Sequence, residues 1–123
     1  MPRRRAPCYG LGMDPRLKTE LWVLATVRRC SVENVPCTVA RRGDRDAGAV
    51  LLKVNRFAEG CQVLAQSRTP AGELVWTRGT GPEPVGEAEA DAYIARQLQR
   101  DPDLWVIEIE DRRNQKPFDG RIV

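Results

Sequence analysis

The chain has 123 residues, a length that suits one domain and leaves little for a second. Hydrophobic residues make up 41% and charged residues 30%, and no uninterrupted apolar stretch approaches the roughly 20 residues of a membrane span, so a soluble globular protein is expected. The formal charge of +3 invites a nucleic-acid reading, but Arg3, Arg4 and Arg5 supply as much charge by themselves and the rest of the chain is neutral.

Residues 1–12 are rich in Pro, Gly and Arg and lack periodicity, which reads as a disordered tail or an over-long start ahead of Met13. No apolar run of roughly 7 to 15 residues follows the arginines, so the segment is not read as an export signal and a cytoplasmic protein is expected. The domain is expected over residues 13–112, with residues 113–123 as a C-terminal tail.

Leu17 to Leu24 has the β-branched and aromatic content of a strand, and a short helix from Ala25 to Glu33 is expected to follow it. The alternative is one helix over residues 15–29, with Asp14-Pro15 as N-cap and first residue and Leu17, Leu21 and Leu24 as its packing stripe. Pro36 and Gly43 bracket a strand, and Gly48 opens another. The loop Gly43-Asp44-Arg45-Asp46-Ala47-Gly48 then reads as a hairpin connection in which glycines supply positive φ. A strand from Cys61 to Arg68, a type I turn at Thr69-Pro70-Ala71-Gly72 and a strand from Glu73 to Arg78 complete an expected four-stranded meander.

Glu87 to Arg100 carries the clearest helix pattern. Acidic residues lie in its first turns and Arg96 and Arg100 near its end, while Ala90, Ile94 and Leu98 recur every four residues. Asp101-Pro102 stops it. Leu104 to Glu110 alternates as a strand, with Trp105, Ile107 and Ile109 on a buried face and Val106, Glu108 and Glu110 on a wet one. Lys116 to Val123 reads as a fraying end or an added edge strand. The expected class is α+β: a single antiparallel or mixed sheet of about five to six strands packed against one or two helices.

No histidine is present, which removes the commonest general base, the Ser-His-Asp and Cys-His arrangements and nearly every catalytic zinc site. Ser31 and Ser67 lack a G-x-S-x-G setting, and no Gly-rich run matches a phosphate-binding loop. Cys8, Cys30, Cys37 and Cys61 contain no C-x-x-C pair, so structural zinc is not expected, and Cys30, Cys37 and Cys61 read as small buried thiols. Carboxylates remain: Asp44, Asp46, Glu108 and Glu110 are the candidate Mg²⁺ or Mn²⁺ ligands, weighed against a plain solvated face. Arg28, Arg29, Arg41 and Arg42 form two pairs suited to phosphate or a partner, although Glu20, Glu33, Asp44 and Asp46 stand near enough to neutralise them. Trp22, Trp76 and Trp105 sit among apolar neighbours, so core packing is their ordinary reading; an exposed one would mark an interface.

Three blocks occur in order: Arg16-Leu17-Lys18-Thr19-Glu20-Leu21-Trp22-Val23, then Arg41-Arg42-Gly43-Asp44 with Ala47-Gly48-Ala49-Val50, then Asp101-Pro102-Asp103-Leu104-Trp105-Val106. Together with Ala92-Tyr93-Ile94-Ala95-Arg96-Gln97, they resemble the domain-of-unknown-function family 1491, known mainly from alphaproteobacteria. The resemblance spans about residues 16–112 and brings no activity, cofactor or catalytic residue with it. It implies a bacterial protein and favours Met13 as a start, because members begin shortly before the first block.

The expected function is a non-catalytic binding or regulatory module acting through an unknown protein partner, with no cofactor and no membrane. The sheet edges are a candidate for partner pairing. The alternatives are a nucleic-acid-binding protein using the arginine pairs and a carboxylate-based Mg²⁺ enzyme.

Overall fold

A computed structural model describes residues 18–123 of the chain. The tail reading of residues 1–12, Cys8 and the Asp14-Pro15 helix start lie outside the described residues. The elements follow in the order α1 (Thr19–Val32), β1 (Cys37–Arg41), β2 (Val50–Asn55), β3 (Cys61–Arg68), β4 (Leu74–Arg78), α2 (Glu87–Arg100), β5 (Trp105–Glu110) and β6 (Arg121–Ile122). The strands make one mixed sheet in the order β1-β5-β2-β3-β4-β6. β2 and β5 are parallel, as are β4 and β6, and the other neighbours are antiparallel. The fold is α+β.

Strand alternation builds two cores, one on each face of the sheet. Val50, Leu52 and Val54 of β2 point to one side with Trp105, Ile107, Ile109, Leu64 and Trp76, where Val23 and Cys30 of α1 cover them. Leu51, Val63 and Val106 point to the other, under Ala90 and Ile94 of α2. Every residue of β2 is buried, as expected of a central strand covered on both faces. The wet face expected for β5 is therefore only partly wet. Val106 is 4% exposed under α2, and Glu108 and Glu110 are half-buried.

α2 takes the predicted bounds, with Glu87 and Glu89 in its first turn and Arg100 in its last. The segment around Leu17–Leu24, preferred as a strand, is instead helical from Thr19 onward. Its buried residues Val23, Thr26 and Cys30 recur at helical spacing and dock on the sheet. The alternative helix reading misplaced the packing face, because Leu21 and Leu24 are 51% and 54% exposed.

The predicted β1–β2 hairpin does not form, because β5 lies between the two strands and pairs with both. The meander is the three strands β2, β3 and β4. The loop from Arg42 to Ala49 passes over the start of β5. There the Asp44 amide donates to the Asp103 carbonyl at 2.9 Å, and the Trp105 indole Nε1–H donates to the Asp44 carbonyl at 2.7 Å. Gly43 and Gly48 serve this close approach and not positive φ: a Cβ on Gly43 would lie 2.6 Å from the Leu104 carbonyl carbon. The Thr69–Gly72 turn forms as expected, its Gly72 amide donating to the Thr69 carbonyl at 2.8 Å.

Residues 113–123, expected as a tail, are built into the domain. Pro117 and Phe118 are buried, Phe118 packs edge-on to Trp76 at 6.0 Å, and β6 pairs with β4. The Trp76 indole Nε1–H donates to the Asp119 carbonyl at 2.6 Å and fixes the approach of this segment. No helix among the described residues is long and apolar enough to cross a membrane.

Candidate functional site

The four arginines do not converge. Arg42 lies over the Trp105 ring at 5.2 Å and donates to Glu20 at 2.6 Å, beside Arg45, which donates to the same carboxylate at 3.0 Å. Arg45, and then Arg42, hold the Glu20 carboxyl below its usual range. Arg29 sits nine residues along α1 from Glu20, about 13 Å at helical rise, and is engaged by Glu33 at 2.9 Å and Asp119 at 3.2 Å. Arg41 reaches the Pro102 carbonyl at 3.0 Å. Arg29, Arg41 and Arg42 thus stitch α1 and β1 to neighbouring segments, while Arg28 stays exposed on α1.

The carboxylates separate in the same way. Asp44 accepts the amides of Asp46 and Ala47 at 3.2 and 2.8 Å and shapes its own loop, while Asp46 faces Lys18 at 3.6 Å. That loop meets the chain at Asp103, whereas Glu108 and Glu110 lie near the far end of β5, five or more residues on and roughly 16 Å away. Among the described residues no group of three His, Cys, Asp or Glu is placed to hold a metal ion.

Trp76 and Trp105 are fully buried, and Trp22 is half-buried against Trp76 with ring centroids 5.7 Å apart. All three belong to the core or its margin. Cys30 and Cys61 are buried free thiols, and Cys37 is half-buried; burial pushes the Cys37 thiol up to about 12 and raises Cys30 and Cys61 as well. Protonated buried thiols are poor nucleophiles.

Lys53 is the charged group that sequence reasoning missed. It is 5% exposed on the α2 side of β2, where its ammonium donates to Glu87 and Asp91 at 2.8 Å each and lies 3.9 Å from Glu108. Burial disfavours its charge, but the hydrogen bonds to Asp91 and Glu87 outweigh that and raise its pKa above the ordinary lysine value. A lysine held so firmly charged clamps α2 to the sheet and cannot serve as a neutral nucleophile or base. The available signals were a lysine interrupting the apolar run Val50–Val54 and the i,i+4 carboxylates opening α2.

Among the described residues, the outward face of α1 is left exposed. At 100° per residue, Leu21, Leu24, Ala25, Arg28 and Val32 share one stripe opposite the buried Val23, Thr26 and Cys30. Leu21, Leu24 and Val32 are 51%, 54% and 73% exposed, where a solvent-facing helix stripe is ordinarily charged or polar. The stripe runs about 16 Å from Leu21 to Val32.

The sheet edges offer less. The Glu110 amide donates to the Pro36 carbonyl, so the β1–β5 register turns the backbone groups of Cys37 and Val39 toward the open side. Pro36 before them and the bulge between Val39 and Arg41 after them confine that edge to three residues, and β6 covers part of the β4 edge.

With this geometry in hand, residues 17–119 match the sequence pattern of the family described as Protein of unknown function (DUF1491). The chain belongs to the DUF1491 family. A crystal structure of a DUF1491 family protein from Caulobacter crescentus CB15 is similar at 36% identity with a TM-score of 0.77, over 87% of this chain and 99% of that one. The NMR structure of a DUF1491 family protein from the same organism, also 36% identical, gives 0.75 over 88% and 97%. The solution structure of protein Atu0922 from A. tumefaciens gives 0.66 at 25% identity, over 77% and 86%. No curated protein matches the chain. The DUF1491 match begins just before α1 and ends at Asp119, so it includes the helix that carries the exposed stripe.

Proposed function

We propose that the chain is a non-catalytic binding module that acts through protein contacts, docking its partner on the outward face of α1. One observation carries this reading: α1 is apolar on both sides, with Val23 and Cys30 in the core and Leu21, Leu24 and Val32 in solvent. A helix that adds an exposed apolar row to its buried face presents a surface of the kind that marks an interaction site. The catalytic alternatives lose support from the residues and their placement. There is no histidine, the thiols are pushed up by burial, Lys53 is locked in ion pairs, and the candidate carboxylates stand far apart. Engagement of Arg29 and Arg42 by carboxylates likewise removes support from a phosphate grip. Free thiols suit the reducing cytoplasm proposed for the chain.

The test is native co-purification of the full chain beside a Leu21→Asp/Leu24→Asp variant. Surface changes of this kind alter folding stability by about 0.5 kcal/mol or less, so the variant folds. A stoichiometric companion that the variant loses supports the reading. A monomeric chain with no companion, or one retained equally by the variant, refutes it.

A further inference from the structure

Building on α1 as the docking face, we infer that its partner is an amphipathic helix whose apolar stripe carries an acidic side chain opposite Arg28. Arg28 is exposed in the middle of the stripe, between Leu24 and Val32, and is the stripe's only charge. Among the described residues no carboxylate pairs with it: Glu33, the nearest acidic residue along α1, is taken by Arg29 at 2.9 Å, and Glu20 by Arg42 and Arg45. Desolvating an unpaired guanidinium is costly, so a partner that covers the stripe must bring the counter-charge with it.

A second copy of the chain fits poorly. Antiparallel self-pairing centred on the stripe sets the two Arg28 residues about 4.5 Å apart along the axis, and parallel pairing sets them face to face, with no acid on either stripe. An added strand also fits poorly, because Pro36 and the β1 bulge shorten the nearby sheet edge to three residues. A straight apolar row on one convex helix is the surface that a second helix meets by interlocking ridges, with axes about 8 to 10 Å apart.

The experiment uses two stapled helical peptides of about 15 residues, each with a leucine stripe and one central stripe position, Glu in the first and Lys in the second. Binding to the full chain and to Arg28→Glu is read by fluorescence anisotropy, and the site by amide shift changes in ¹⁵N-labelled protein. The wild-type chain is expected to prefer the Glu peptide by about tenfold, and Arg28→Glu to reverse the preference. Shift changes should centre on Leu21, Leu24 and Val32. Equal binding of both peptides, or shift changes centred elsewhere, overturns the inference. Self-association abolished by Leu24→Asp also overturns it, by making a second copy the occupant, while leaving α1 as the docking face; loss of the docking face itself is read separately, by the co-purification test.

Discussion

Replacing Lys53 by methionine removes an ammonium from beneath α2 while keeping most of the side chain's length, so it isolates the ion pairs from the packing. Two hydrogen bonds of 2.8 Å, to Glu87 and Asp91, are lost, and Glu108 at 3.9 Å loses its nearest cation. A charge-assisted bond contributes about 1.5 to 3 kcal/mol when both ends are buried. Here the carboxylates are 57% and 58% exposed, and water resolvates them once the lysine is gone, so about 1 kcal/mol each is the better figure. The expected loss is about 2 kcal/mol, below the roughly 3 to 5 kcal/mol of a fully buried pair broken on one side. That corresponds to a fall in Tm of about 8 °C for a domain of this size. Lys53→Ala also gives up about three buried methylenes at ~0.8 kcal/mol each, which brings its loss to about 4 kcal/mol. Urea unfolding followed by tryptophan fluorescence measures both.

The sign with pH follows from the raised pKa. Lys53's contribution is complete below the ordinary lysine range near 10.4, and fades only at higher pH as the folded protein loses that proton. The gap between wild type and Lys53→Met should therefore stay constant across neutral and mildly alkaline pH. Lys53→Met unfolding within about 0.5 kcal/mol of wild type would refute the clamp, and Lys53→Ala matching Lys53→Met would refute the methylene contribution.

Gly43→Ala should destabilise by about 2 kcal/mol or more, since its Cβ would meet backbone at Leu104 that cannot step aside; differential scanning calorimetry reads the shift, and an unchanged Tm counts against the close approach. Asp111 is 1% exposed and accepts the amides of Gln115 and Lys116 at 2.8 and 2.9 Å, so Asp111→Ala should cost about 2 kcal/mol and speed hydrogen exchange at those two amides before the core. Glu20 and Glu73 have lowered pKa values, through Arg45 and Arg121 respectively. Their stabilisation is present above the ordinary carboxylate range near 4.3 and lost as pH falls below it. Acid unfolding of Glu20→Gln/Glu73→Gln should therefore be less steep than that of wild type, and identical profiles would contradict those pairs.

Local chemistry alone determined α2, the Thr69–Gly72 turn and the alternation of β5. Each is written in residues a few positions apart: acids opening the helix, Ala90 and Ile94 one turn from each other, a proline and a glycine at fixed places in the turn. Sequence also established the family, because its matching blocks are contiguous stretches of chain. Where an element's neighbours are distant in sequence, only the folded chain decided. β5 enters between β1 and β2 from more than fifty residues downstream, and pairing across such a gap leaves no mark beside either strand, so a hairpin was the natural misreading. α1 has apolar residues all round, and tertiary contact with the sheet selected Val23, Thr26 and Cys30 over Leu21 and Leu24 as its inner side. Lys53 met Glu87 and Asp91 only across the space between sheet and helix. The physical reason is the same in each case: burial and charge pairing depend on which surfaces meet, and that is fixed by long-range packing, whereas turns and helix ends depend on bonds within one or two turns of chain.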